Sequence, residues 1–155
     1  MKFSAIFILA TVLFAACQNT SQQSTSTQTK LPIEGTWKLI SGTLIEKNDT
    51  TVTHYGNDTS FIKIINGDHF AFLSHDIKGG KDSATAFFSC GGGAYDLKDS
   101  NYTEHLEYCN DREWEGHSFD FTVTINNDTL TQKGLEKIDS LGVNRINIER
   151  YARVK

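Results

Sequence analysis

The chain has 155 residues, of which 38% are hydrophobic and 22% are charged, and its formal net charge at pH 7 is −4. This length is enough for one ordinary domain that encloses a core without help from metals or disulfides. Basic residues are scattered among acidic ones, so the sequence lacks the basic patch that nucleic-acid binding needs. We therefore expect no nucleic-acid partner.

Residues 1–16 have the three parts of an export signal, with a charge at Lys2, an apolar run and two small residues before Cys17. The apolar run is shorter than the ~20 residues that a helix needs to cross a bilayer, so we expect it to be removed. The segment Phe14-Ala15-Ala16-Cys17 resembles the lipobox of bacterial lipoproteins. The resemblance implies lipidation of Cys17, cleavage before it and attachment to a membrane. A plain signal peptide that is followed by a cysteine is the alternative.

Residues 17–31 are polar, with no apolar side chain between Cys17 and Leu31. Such a composition cannot bury enough surface to offset chain entropy, so it predicts a disordered tether. In the lipoprotein pattern of Gram-negative cells, Asp directly after the lipidated cysteine favours the inner membrane, and Gln18 stands there instead. The resemblance therefore implies an outer-membrane anchor. The lack of an acidic run favours the periplasmic face.

Residues 32–155 are predicted to form one all-β domain. Turn signals recur at short intervals, and an Asn-Asp-Thr tripeptide begins at Asn48, Asn57 and Asn127. The clearest strand is 117–125, where apolar and polar residues alternate with a period of two. Further strand-like runs lie near 36–47, 51–56, 60–66, 68–76, 83–90, 93–98, 102–109, 129–136 and 143–154. Sequential strands joined by tight turns predict an antiparallel up-and-down barrel of eight to ten strands, because closure removes both edges.

Both ends of this domain carry a family resemblance. The segment Gly35-Thr36-Trp37-Lys38-Leu39 resembles the first strand of lipocalins and fatty-acid-binding proteins, and the last strand carries Arg and Tyr as theirs does. With the segments F-F-S-C-G-G-G-A-Y-D-L, Y-T-E-H-L-E-Y and R-E-W-E-G-H-S-F-D-F-T-V-T-I, the domain resembles lipocalin-like (calycin) bacterial lipoproteins. The resemblance implies a lipocalin-like barrel in which Trp37 packs on an arginine of the last strand. That arginine is either Arg150 or Arg153.

Glu104 is the central residue of the predicted ligand site. It shares a strand face with Tyr102, Leu106 and Tyr108, and the apolar members suggest that this face points inward. A carboxylate inside a barrel must be paired, hydrogen-bonded or protonated, and Arg150 is a candidate partner that could help to orient the head of an amphipathic ligand. The alternatives are a purely structural ion pair, or a register slip that turns Glu104 to solvent. The candidate ligand-binding residues are Trp37, Tyr95, Glu104, Phe119, Phe121 and Arg150.

Once Cys17 is assigned to lipid, Cys90 and Cys109 remain as a possible disulfide in an oxidising compartment. If the strand around Tyr95 separates them, their backbones lie roughly 9 to 10 Å apart, which is beyond the ~7 Å that a disulfide spans. Bent strand ends could close this gap. The sequence therefore does not decide whether Cys90 and Cys109 form a disulfide.

Histidines raise the question of a metal site. His69 and His75 share one predicted strand face, and His105, Glu107 and Cys109 share another. Residues two apart on a strand have side chains about 7 Å apart, which is too far for one metal ion to bind both. We predict no metal and no cofactor.

A catalytic site is not indicated either. Ser89 and Cys90 precede the run 91–93 of three glycines, but no G-x-S-x-G order or helix accompanies them, so this run favours a turn or bulge. Trp114 belongs either to a loop that gates the barrel mouth or to a surface loop with its ring folded back. We therefore expect a non-enzymatic binder or carrier of a small lipophilic or amphiphilic molecule in the envelope. The alternatives are an interaction protein with a filled barrel and, third, a catalytic calycin.

Overall fold

The computed structural model describes residues 31–155. The predicted signal peptide 1–16, the lipid acceptor Cys17 and all but the last residue of the tether 17–31 lie outside the described residues. Within 31–155, no helix is both long and apolar enough to cross a membrane. The strands are β1 (Gly35–Glu46), β2 (Asp49–His54), β3 (Thr59–Asn66), β4 (His69–Asp76), β5 (Phe88–Lys98), β6 (Asn101–Leu106), β7 (Tyr108–Cys109), β8 (His117–Asn126), β9 (Thr129–Ile138) and β10 (Val143–Arg153).

These ten strands form one antiparallel sheet that closes on itself, because β1 pairs with β10 on one edge and with β3 on the other. The closed barrel has eight strands, since β2 only extends the β1 hairpin and β7 pairs beside β6 on the edge of β5. The predicted up-and-down barrel is therefore confirmed. Closure leaves the barrel strands without the unpaired edges that would template aggregation.

A β-bulge in β1 decides which of its side chains face inward. The register against β10 shifts between Leu39 and Ser41, so Ile40 is an extra residue. An extra residue on one strand inverts the alternation beyond it. Leu39 is buried in the core before the bulge, whereas Gly42 and Leu44 line the barrel interior after it. Because Gly42 lies opposite Glu149 of β10 and has no side chain, the ring of Tyr55 packs against its backbone there.

The glycine run 91–93 lies inside β5, so its prediction as a turn or bulge is wrong. A methyl group on Gly93 would collide with the carbonyl oxygen of His105 on the neighbouring strand. Close approach of two backbones, rather than chain reversal, therefore requires glycine here. The predicted runs 83–90 and 93–98 become a single strand that begins at Phe88.

The predicted strand 102–109 is divided at Glu107. Glu107 lies between β6 and β7, both of which pair with β5. Its backbone N–H donates to the carbonyl of Gly92 in β5 at 3.0 Å. This interruption ends the alternation that the sequence suggested. Tyr108, predicted to face inward, is instead 67% exposed.

One end of the barrel is plugged around Trp37, and we call it the closed end. Trp37 is completely buried, and its indole N–H donates to the carbonyl of Ile33 at 2.7 Å. The guanidinium of Arg153 lies 4.0 Å from the centre of the indole ring. It also donates to the carbonyls of Pro32 and Glu34, each at 2.7 Å. Arg153 is thus the arginine that packs on Trp37.

Candidate functional site

A cavity of about 370 Å³ occupies the barrel interior on the other side of this plug. It opens at the end opposite Trp37, where Leu44, Asp111 and Trp114 are among its lining residues. We call this the open end. Neither Trp37 nor Tyr95 lines the cavity. The barrel is therefore packed with its own side chains in one part and hollow in the other.

Aromatic rings form the apolar wall of the cavity. Phe61 of β3 stacks on Phe72 of β4 with ring centres 5.8 Å apart, and Tyr55 meets Phe61 edge-on at 6.0 Å. On the opposite wall, Phe119 of β8 contacts Trp114, with centres 5.9 Å apart. These rings come from separate strands, so a ligand body between them would contact aromatic surface on two sides.

The buried ammonium of Lys63 organises the polar part of the cavity. Lys63 is only 2% exposed, and its Nζ donates to Glu104 Oε1 at 2.7 Å and to Gln132 Oε1 at 3.1 Å. A carboxylate oxygen of Glu149, on β10, lies 3.6 Å from the same nitrogen. Lys63 stands opposite Trp37 in the β1–β3 register, which places this cluster next to the plug. One lysine therefore faces two carboxylates at the deep end of the cavity.

Burial and neighbouring charges have opposing effects on the pKa values of Lys63 and Glu104. Burial alone would lower the pKa of Lys63, but the carboxylates of Glu104 and Glu149 outweigh it and raise that pKa. Burial raises the pKa of Glu104, and Lys63 only partly opposes the rise while Glu149 adds to it. The ammonium form of Lys63 is therefore favoured, and two carboxylates share this one cation.

A second ion pair lies nearer to the open end. Arg145 Nε donates to Glu136 Oε2 at 2.7 Å, and the side-chain amide of Asn147 donates to Glu136 Oε1 at 2.7 Å. The Arg145 guanidinium also lies 5.4 Å from the ring centre of Trp114. Trp114 is thereby folded back onto this wall and lines the cavity as well. The folded-back ring agrees with one of the two alternatives for Trp114, and gating of the barrel mouth stays a prediction.

The predicted ligand residues separate into three groups. Glu104, Phe119 and Phe121 line the cavity. Trp37 and Tyr95 are buried outside its lining, and the hydroxyl of Tyr95 donates to the carbonyl of Gly67 at 2.7 Å.

The third group is Arg150, for which the prediction of an inward position beside Glu104 is wrong. Arg150 is exposed, because β10 turns Arg145, Asn147 and Glu149 toward the cavity and its isoleucines toward the outer face. Lys63 takes the place that the sequence gave to Arg150.

Polar cavity residues that were not predicted from the sequence include Lys63, Gln132, Glu136, Arg145, Asn147 and Glu149. In β9, Leu130 and Ile138 alternate with Gln132 and Glu136 on one face, whereas Lys133 and Lys137 occupy the other. That separation of acidic from basic residues was a usable signal. In β3, by contrast, the residues on either side of Lys63 are apolar on both faces, so no pattern indicates its direction.

The two domain cysteines are closer than the sequence suggested. Cys109 pairs opposite Gly91 of β5, so Cys90 and Cys109 lie on adjacent strands with none between them. Cys109 lines the cavity, and burial raises its pKa. The alternation of β5 turns Cys90 to the outer face, between Ser89 and Gly91. Both are free thiols in this structure.

Two of the histidines considered as metal ligands have other partners. His69 Nδ1 lies 2.6 Å from Asp68, and the ring of His105 lies 2.8 Å from Ser118 and 2.9 Å from Asp96. Among residues 31–155, no group of three or more His, Cys, Asp or Glu side chains is placed to hold a metal ion.

Comparison of the sequence with protein-family models and with curated proteins gave no match. The shape and charge of the cavity are therefore the features that bear on function.

Proposed function

We propose that this protein is a lipid-anchored, lipocalin-like lipoprotein of the outer membrane that binds or carries a small amphiphilic molecule without chemically changing it. The cavity is the observation that supports this proposal. Its volume of about 370 Å³ falls within the ~300–1,000 Å³ typical of small-molecule sites. Its lining combines aromatic walls with a large set of convergent polar and charged groups, which suits a ligand that has both an apolar body and a polar head.

The ligand proposal is tested first on protein taken from its own envelope. Native mass spectrometry after gentle extraction should give a mass above that of the chain and its lipid. A panel of amphiphiles should then raise the melting temperature of the emptied protein. A bare mass from every preparation, together with no thermal shift across the panel, would contradict ligand binding.

A cavity-blocking variant makes this test specific. Leu44 lines the cavity near its open end, so Leu44→Trp should fill part of the opening and reduce ligand recovery at least tenfold. Ile45→Trp is the matched control, because Ile45 is the next residue of β1 and alternation turns it to the outer face. Equal losses in both variants would show that the cavity is not the binding site.

The anchor is tested separately. Cys17→Ser should release the protein from membrane fractions, because the lipid chains on Cys17 are its proposed attachment. Cys90→Ser changes a cysteine of the domain and should leave fractionation unchanged. Retention of the Cys17→Ser protein on membranes would contradict the lipoprotein proposal.

The alternative function is an interaction protein of the envelope. The observation that favours it is exposed aromatic surface outside the barrel, where Phe88 is 59% and Tyr108 is 67% exposed. Consistent recovery of ligand-free protein in the mass-spectrometric experiment would favour this alternative over the carrier.

A further inference from the structure

The charges that line the cavity do not balance. Lys63 and Arg145 are its two cations, whereas Glu104, Glu136 and Glu149 are three carboxylates inside the barrel. Asp111 adds a further carboxylate at the open end, where it is exposed to solvent. With all three carboxylates ionised, the enclosed part of the cavity carries one unmatched negative charge.

The nitrogen–oxygen distances of the ion pairs show where the unmatched negative charge lies. Arg145 and Glu136 are in direct contact at 2.7 Å, and this pair is neutral. At the deep end, Lys63 contacts Glu104 at 2.7 Å but lies 3.6 Å from Glu149, which is longer than a hydrogen bond. The unmatched charge therefore belongs to the cluster of Lys63, Glu104 and Glu149.

Glu149 has room for another partner. Its side chain is 15% exposed and borders the cavity, opposite Gly42, whose backbone is covered by the ring of Tyr55. The Tyr151 hydroxyl donates to Glu149 Oε2 at 2.7 Å. The 3.6 Å separation from Lys63 Nζ also ends at Oε2. Among the contacts within residues 31–155, Oε1 has no such neighbour. One oxygen of Glu149 is thus available to a hydrogen-bond donor from the cavity.

Tyr102 is a further polar residue beside this cluster. The Tyr102 hydroxyl is buried and makes no hydrogen bond of good geometry within residues 31–155, although Glu104 lies close enough to interact with it. Tyr102 shares a face of β6 with Glu104 and has its pKa raised by burial and then by the charge of Glu104. Tyr102 does not line the cavity, so it supports Glu104 from the packed part of the barrel.

An unmatched carboxylate in a partly dry site is costly until a proton or a cation neutralises it. A ligand with a protonated amine head would supply one positive charge and two or three N–H donors. A fatty-acid carboxylate would instead place a third anion beside Glu104 and Glu149, and repulsion between like charges would oppose its binding.

We infer that the cavity selects amphiphiles with a cationic nitrogen head, of the primary or secondary ammonium type, and rejects those with a carboxylate head. The head binds Glu149 and Glu104 at the deep end, and the apolar body lies between Phe61, Phe72 and Phe119. This inference rests on the proposed binding function and names its ligand class.

The test compares three ligands of equal chain length, n-octylamine, n-octanol and n-octanoate, on the purified Cys17→Ser chain at pH 7. Isothermal titration calorimetry should give an affinity at least tenfold higher for the amine than for the alcohol, and no measurable binding of octanoate. Equal affinities for the three ligands, or a preference for octanoate, would overturn the charge selectivity and leave ligand binding in place. Binding of none of them, with an empty protein from the envelope, would overturn the proposed function itself.

Glu149→Gln identifies the group responsible. It should lower amine affinity at least tenfold while octanol binding is unchanged, and retained octanol binding also reports that the variant is folded. The control is Asp120→Asn, the same change of charge on β8 between Phe119 and Phe121, where the side chain is exposed. If Asp120→Asn lowers amine affinity as much as Glu149→Gln does, then the effect is one of overall charge and the inference fails.

Discussion

Replacement of Arg153 by methionine measures how much this arginine contributes, at the closed end, to the free energy of unfolding. Methionine keeps much of the apolar stem but removes the cation above Trp37 and both donors to the carbonyls of Pro32 and Glu34. A hydrogen bond from a charged donor contributes about 1.5–3 kcal/mol when buried, and partial exposure of Arg153 lowers this to about 1 kcal/mol each. The cation–π contact adds about 0.5–1 kcal/mol. The expected loss in the free energy of unfolding is therefore about 2–3 kcal/mol, or roughly 10 °C in Tm for a domain of this size.

Urea unfolding followed by tryptophan fluorescence measures this loss, because Trp37 passes from complete burial to solvent. The slope of the unfolding free energy against urea should not change, because the variant exposes the same surface on unfolding. The matched control is Arg150→Met, on the same strand but facing outward, and it should cost under about 0.5 kcal/mol. Equal losses in the two variants would refute the assignment of Arg153 to this role.

Two further predictions concern buried charge and pH. Lys63→Met should destabilise the domain by about 3–5 kcal/mol at pH 7, because it strands two carboxylates, and the double variant Lys63→Met/Glu104→Gln should recover at least half of that loss in urea unfolding. No recovery would contradict the pairing. The pKa of Asp76 lies below its usual value because its carboxylate accepts hydrogen bonds from the backbone N–H groups of Gly80 and Phe87. Its stabilising effect is therefore present above pH ~4 and is lost as the pH falls through the lowered pKa, so wild type and Asp76→Asn should differ in urea midpoint at pH 7 and converge at low pH. A constant difference between them would contradict this reading.

The alternation of β8 shows what the sequence could predict. Phe119, Phe121 and Val123 are buried, and the polar residues between them are exposed, as a period of two requires. Hairpin turns were equally readable, because their residue types are set by local backbone geometry. Asn127, in one of the three Asn-Asp-Thr tripeptides, adopts the positive φ of 53° that such turns use.

The site was harder to predict because β10 turns its polar face, and not its apolar face, toward the barrel interior. Ile146 and Ile148 suggested an inward apolar face, but Glu149 and its polar neighbours face the cavity. A hollow interior can hold polar groups against a ligand or solvent, so the apolar face of such a strand need not be its inner one. The bulge at Ile40 and the close backbone contact at Gly93 depend on partners distant in sequence. Local patterns do not contain that information.

The extra residue in β1 also makes the cavity adjustable by a change of length. If the strand ran without a bulge through Ile40, Ser41 would take the place of Gly42 in front of Glu149, and Thr43 would replace Leu44 nearer the opening. The interior would become narrower at its acidic end, although no residue of the barrel had been substituted. A shift of one position in a single strand can thus reshape a barrel cavity as much as several point mutations inside it.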